Sequence, residues 1–231
     1  MREKVFVVSD THFPFHSQKA LDVAYTLISN FKPTHVVQIG DLLDALSLTK
    51  FPKSLNIIKP KDEIEEAINI SNLFWMEIRG ICGKKTKYWQ LKGNHCDRGI
   101  RRIIEKAPEL ESIVANEMDR MYKFPGVTTI NDSRDALIIQ DTYYCHGWST
   151  KHGAHIDYLS GKYNVVHGHT HRGAVVSKSY FGKIVTELDV GFLGDVSAPC
   201  FNYTLQKKTI PWTLGCGMVD ELGHRFIPIH I

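Results

Sequence analysis

Val5-Phe6-Val7-Val8-Ser9-Asp10-Thr11-His12 is an apolar, largely β-branched run that ends in residues able to ligate a metal or carry a proton. A continuous run of this kind reads as a strand buried on both faces. Ser17 then serves as an N-cap, and Ala20, Val23, Ala24, Leu27 and Ile28 recur at helical spacing until the pattern ends near Asn30. Pro33 breaks the chain, and His35-Val36-Val37-Gln38-Ile39 forms a second strand that runs into Gly40-Asp41. Strand, helix and strand in this order imply two parallel strands joined by a right-handed crossover, so Asp10 and Asp41 leave the same edge of one sheet.

The pattern recurs downstream. From Asp62 to Ile81 the positions Ile64, Ala67, Ile68, Phe74, Trp75 and Ile78 mark a long helix, with Phe74 and Trp75 as core residues. Asp62, Glu63, Glu65 and Glu66 sit at the end of that helix where its dipole favours acids. Tyr88-Trp89-Gln90-Leu91 is a third strand, and it delivers Gly93-Asn94-His95. Gly99 to Lys106 and Pro108 to Met118 read as two short helices. Ala136 to Gln140 and Thr142 to Cys145 read as short strands separated only by Asp141, which suggests a bend or bulge over a hairpin turn, and the second reaches His146. Tyr163 to His167 leads into Gly168-His169-Thr170-His171, and Ile184 to Val190, Trp212 to Val219 and Phe226 to Ile229 supply further strands. Leu42 to Pro60 remains a loop with a short helical turn.

A chain of 231 residues with 43% hydrophobic content buries one substantial core, and nothing in it resembles a linker, so residues 1–231 read as one domain. The formal charge of +3 does not by itself call for a nucleic-acid partner. The local cluster Arg98, Arg101, Arg102 and Lys106 is open to two readings, a solvated helix face or a phosphate contact. The five cysteines are scattered with no C-x-x-C pair, as expected of reduced thiols in a cytoplasmic protein. The first apolar run stops at Ser9, far short of a signal peptide or membrane span, which again points to a soluble protein with no membrane partner.

Asp10 and His12, Asp41, Asn94 and His95, His146, and His169 with His171 all follow predicted strands, and strand ends of this type gather at one sheet edge. Eight ligand-competent side chains exceed the four that a structural zinc takes, and they include no thiolate. That donor set suits two divalent cations sharing a carboxylate.

Asp10-Thr11-His12, Gly40-Asp41-Leu42-Leu43-Asp44, Gly93-Asn94-His95, His146 and Gly168-His169-Thr170-His171 resemble the five signature blocks of the calcineurin-like metallophosphoesterases. The resemblance spans residues 10 to 171. It implies an α/β fold, a four-layer αββα sandwich of two facing mixed sheets flanked by helices. It also implies a dinuclear site, with Asp10, His12, Asp41 and His171 on one ion and Asp41, Asn94, His146 and His169 on the other, Asp41 being the bridge. Two such cations hold a phosphoryl group and acidify a shared water, and the resulting hydroxide attacks phosphorus. By the same resemblance His95 stays off the metals and donates to the leaving oxygen, with Asp44 orienting its ring. Nitrogen and oxygen ligands admit Mn, Fe, Zn, Co and Ni, and the resemblance favours Mn for activity in vitro.

Phe13 after His12 and Cys96 after His95 depart from many members of the family, at positions with no ligand role. Ala45 stands where the protein Ser/Thr phosphatases of the family place an Arg, which argues against phosphoprotein substrates. The run Asn94-His95-Cys96-Asp97-Arg98 resembles phosphoesterases of bacteriophage and bacteria. His16, Arg98 and Lys151 border the expected cleft as candidate substrate contacts. The expected substrates are nucleotide-type or nucleic-acid phosphoesters. The alternatives are a phosphomonoesterase acting on nucleoside monophosphates, and a metal-stabilised binding protein without turnover. A purely structural site has no use for the uncoordinated pair His95 and Asp44, which argues against the last.

Overall fold

The computed structural model describes residues 3–50, 58–131, 135–204 and 211–231. Its first sheet is nucleated as the sequence predicts. Strand β1 (Val5–Val8) lies parallel to β2 (His35–Gln38), with Val5 opposite His35 and Val8 opposite Gln38. Helix α1 (Gln18–Phe31) makes the crossover, and the Ser17 side chain accepts the Ala20 N–H at its start. Helix α2 (Pro60–Cys82) leads to β3 (Lys87–Leu91), which extends the parallel set. Helices α3 (Arg98–Lys106) and α4 (Glu111–Arg120) follow, the second preceded by a 3-10 turn at Pro108–Leu110. The short strand β4 (Thr128–Ile130) closes that edge of the sheet.

The second sheet begins with β5 (Leu137–Ile139) and β6 (Thr142–Tyr144). These two pair antiparallel, with Ile139 opposite Thr142, so the expected bend is in fact a tight hairpin. Gln140 supplies the turn by taking a left-handed φ of 55°, a conformation more common for glycine or asparagine, which is why no turn residue announced it. Helix α5 (Ala154–Tyr158), β7 (Asn164–His167), β8 (Gly173–Tyr180) and β9 (Lys183–Val190) complete this half. The chain then returns to the first sheet as β10 (Gly215–Asp220) and β11 (Gly223–Pro228). The strand orders are β11-β10-β1-β2-β3-β4 and β5-β6-β7-β9-β8, and both sheets mix parallel and antiparallel pairs.

Alternation decides which core each strand serves. Val5, Val7, Val37 and Leu91 point inward to meet Tyr144, Val166, Leu188 and Val190 of the facing sheet. Phe6, Val8 and Val36 point outward and are covered by Leu21, Ala24 and Ile28 of α1 and by Phe74, Trp75 and Ile78 of α2. On the far side, the five-residue α5 is the one helix among the described residues, and it packs its Ile156 against Val165 and Val185. The order is helices, sheet, sheet, short helix, the αββα arrangement with one thin outer layer. No helix among the described residues is long and apolar enough to cross a membrane.

Glu63 lies in the first turn of α2, as expected of a helix-dipole acid, and does more. Its carboxylate is fully buried and accepts the N–H groups of Leu46 at 2.6 Å and Ser47 at 2.7 Å. It therefore anchors the 3-10 turn Leu46–Leu48, just after Asp44, to α2. Helix dipole and loop tether are served by one residue.

Candidate metal centre

Three loops leave the first sheet side by side. Asp10 N–H donates to Gly40 O at 3.1 Å, His12 N–H to Asp41 O at 3.0 Å and Phe13 N–H to Leu42 O at 2.8 Å, so the loop after β1 is stitched to the loop after β2. The loop after β3 is joined when His95 N–H donates to Asp41 Oδ1 at 2.8 Å. From the second sheet, His169 N–H reaches Asp10 Oδ2 at 2.9 Å. All five blocks meet at this edge.

Asp10, His12 and His171 form one cluster, and all three are buried. His12 Nδ1 lies 2.9 Å from Asp44 Oδ2, which places its proton there and leaves Nε2 to face the cluster. That Nε2 is 3.0 Å from His171 Nε2, which is 3.3 Å from Asp10 Oδ1. Asp10 Oδ2 is satisfied by the Ser9 hydroxyl and the His169 N–H, whereas Oδ1 accepts no hydrogen bond. Ligand atoms about 2.1 Å from a shared cation stand roughly 3 to 3.5 Å apart, and the three distances here, 3.0, 3.3 and 3.7 Å, the last from His12 Nε2 to Asp10 Oδ1, lie in or close to that range. The residues fit a divalent ion.

Asp41, Asn94, His146 and His169 form the adjoining cluster. His146 Nδ1 donates to Ile39 O at 3.0 Å, so its Nε2 faces Asn94 Oδ1 at 2.9 Å and Asp41 Oδ2 at 3.2 Å. His169 Nδ1 approaches the same Asn94 oxygen at 2.9 Å. Burial alone would raise the Asp41 carboxyl, but the imidazoles of His146 and His95 outweigh it and hold Asp41 well below the usual range. Burial opposes the charge on His146 too, and Asp41 overrides it, lifting His146 to about 9. Burial and the neighbouring His146 depress His169 to about 4.

Glycine is required where these loops crowd. A Cβ on Gly168 would overlap Ser9 Oγ and Asp10 Oδ2, and one on Gly93 would overlap the Asp41 carboxylate. Gly168→Ala should therefore push Asp10 and His169 apart. Metal affinity should fall about 10-fold to 100-fold, the cost of disturbing a ligand's support, with the secondary structure intact by circular dichroism. Unchanged metal titration would show that the loop absorbs the methyl group.

Asp44 is shared. Besides His12, its Oδ2 lies 3.4 Å from His95 Nδ1, while Arg98 Nη1 donates to its Oδ1 at 2.9 Å and its backbone O at 2.8 Å. Burial would raise this carboxyl, and its two imidazole partners hold it well below the usual carboxylate range instead. Arg98 Nη2 sits 2.8 Å from His95 Nε2, and because a guanidinium can only donate, that nitrogen accepts. Asp44 thus lies beside the His95 ring, and the Arg98 guanidinium occupies the opposite ring nitrogen.

The other candidate contacts are placed differently. The His16 ring is held by Pro14 O and Gln18 Oε1 and packs on Phe13, and Lys151 is exposed with no side-chain bond to either cluster among the described residues. Trp148 lies over His155 and Tyr158. Cys96 is buried and accepts the Gly93 N–H, and Phe13 is buried against Phe74, so both departures from the family pattern serve packing. His155 and His167 flank the buried carboxylate of Glu187, which also accepts the His155 and Ile156 N–H groups and so ties α5 to the second sheet. An aromatic wall escaped the sequence reading: Phe192 stacks on His171 at 4.9 Å, Trp212 lies 4.7 Å from His171, and Phe201 lies 5.2 Å from His12. Only the aromatic content of residues 192–212 hinted at it.

No family model matches the chain. The gene 54 protein of Mycobacterium phage D29 is 25% identical over 252 residues, covering 99% of this chain and 92% of that protein. A novel archaeal phosphodiesterase of known structure aligns over 98% of this chain and 99% of its own, at 17% identity and a TM-score of 0.43. Vacuolar protein sorting 29 from Cryptosporidium parvum aligns over 94% and 84%, at 14% identity and a TM-score of 0.47. The five blocks that resemble the calcineurin-like metallophosphoesterase signature thus meet at one edge of two facing mixed sheets.

Proposed function

We propose that this protein is a dinuclear metal-dependent phosphoesterase acting on nucleotide-type or nucleic-acid phosphodiesters. The observation that carries the reading is the pair of adjoining clusters, in which imidazole nitrogens meet one another and the Asn94 oxygen at 2.9 to 3.0 Å and Asp10 Oδ1 accepts no hydrogen bond among the described residues, beside a His95–Asp44 pair outside both expected donor sets. Asp10, His12 and His171 would hold one ion, Asn94, His146 and His169 the other, and Asp41 would be shared. Bound there, two divalent cations supply Lewis acidity toward a phosphoryl group and an acidified water. The chain's own residues do the rest. Asp10 and Asp41 offset part of the cationic charge, while neutral Asn94 and the imidazoles leave enough of it to attract phosphate. Asp44 fixes the rings of His12 and His95, and the aromatic wall keeps water from the outer side of His171. Arg98 would meet the leaving oxygen with a positive charge, and His95 with a proton once its Nε2 is protonated and released from Arg98.

The test is a panel of mono- and diester reporters, nucleoside monophosphates, cyclic nucleotides and DNA, assayed after reconstitution with Mn and each rival metal. Diester hydrolysis that disappears on chelation is expected. Two ions bound with no turnover on any substrate would replace the enzyme with a metal-stabilised binding protein, and turnover confined to monoesters would make it a phosphomonoesterase.

A further inference from the structure

A cavity of about 430 Å³ opens beside Asn94 and is lined by Lys50, Arg98, Arg101, Arg102 and Glu105. Its volume is in the range of small-ligand sites, about 300 to 1,000 Å³. Leu48 and Thr49 complete the lining, and its charged members are four cations and one carboxylate in a chain whose whole formal charge is only +3. Arg98, Arg101 and Arg102 fall at i, i+3 and i+4 on α3 and so share one face. The three are not equivalent. Arg98 is committed, its guanidinium bound to Asp44 and His95. Arg101 makes a surface ion pair with Asp97 at 3.3 Å, a contact worth little in water and easily exchanged for phosphate. Arg102 is exposed and makes no ion pair among the described residues.

We propose that this cavity is a second-phosphate subsite: Arg101 and Arg102 take a phosphate next to the scissile one, in substrates that carry two or more. The placement follows from Asn94, which belongs both to the metal cluster and to the cavity wall, so a phosphoryl group at the metals has this cavity as its neighbour. Guanidinium groups suit the task because their planar forks pair with phosphate oxygens two at a time. The flanking phosphate is that of an oligonucleotide chain or of a small nucleoside bisphosphate; the chemistry is shared. The inference rests on the phosphoesterase reading for turnover but not for binding, and the experiment keeps the two apart.

Cleavage of the internal diester of a thymidine dinucleotide is compared with cleavage of the same bond when the dinucleotide carries a 5′ or a 3′ terminal phosphate. At least one terminal phosphate should raise kcat/KM by about 10-fold, chiefly through KM, the gain shrinking with salt. In the double variant Arg101→Ala, Arg102→Ala the ratio should fall to about 1. A longer oligothymidylate and adenosine 3′,5′-bisphosphate separate the two sources. In parallel, calorimetry on the metal-loaded protein compares adenosine 3′,5′-bisphosphate with adenosine 5′-monophosphate, the double variant losing the preference for the bisphosphate. If no ester is cleaved, the hydrolase reading fails and the subsite is decided by that binding ratio. Equal handling of the paired ligands by the unmodified protein, or a preference that survives the double substitution, overturns the subsite.

Discussion

Asp41→Asn is expected to leave the protein short of one ion, with affinity for it down by about 10-fold to 100-fold or more and turnover falling with it. The substitution is close to a pure charge change. Asparagine keeps an oxygen for the His95 N–H that Asp41 Oδ1 accepts, and it tolerates the left-handed φ of 49° found at this residue. What it removes is the anionic oxygen that faces His146 at 3.2 Å and, on the proposed assignment, lies between two cations whose repulsion it screens. Elemental analysis after gel filtration reads the result directly. Two ions per chain together with undiminished hydrolysis would take Asp41 out of the bridging role.

His95→Asn is expected to retain both ions yet lower turnover by about 10² to 10⁴, the usual worth of general acid catalysis. His95 makes its ring contacts with Asp44 and Arg98, at 3.4 Å and 2.8 Å, and the nearest ligand oxygen, Asp41 Oδ2, is 3.7 Å away. The loss should depend on the leaving group: nitrophenolate departs with little help, whereas a nucleoside alkoxide needs a proton. Asp44→Asn should show the same bias more weakly, because the ring remains but its partner is altered. A loss equal for both leaving groups would assign the role to charge stabilisation, for which Arg98 is the group in place. Loss of an ion would make His95 a ligand.

The convergence of the candidate blocks was legible because each lies where a buried strand gives way to polar residues, and the strand, helix, strand alternation from Val5 to Leu91 fixes which edge they share. The features that stayed hidden depend on partners far along the chain. Strand β8 is the exception, hidden although its partner is the next strand: it alternates half-buried and exposed residues, including Lys178, and is defined by an eight-residue hairpin pairing with β9. Strand β4 has only three residues and is defined by β3. Glu63 looked like a helix-dipole acid because nothing local reveals that Leu46 and Ser47 come to rest on it. The same holds for Arg98, whose commitment to Asp44 spans 54 positions, and for Phe192 and Trp212 against His171.

Asp10, His12, Asp41, His169 and His171 adopt positive φ angles between 49° and 69°. Each such corner costs a residue with a side chain about 1 to 2 kcal/mol over a right-handed conformation. In this protein the residue that turns the chain and the residue that offers the donor atom are one and the same. Substitution at these positions thus speaks two languages at once. Alanine deletes the donor and keeps the strained corner, whereas glycine deletes the donor and relaxes it, so their difference in folding stability isolates the backbone's share. Asparagine, at home in the left-handed region, changes the donor alone. A mutational survey read only for activity would merge these meanings, and the aspartates are the positions at which they come apart most cleanly.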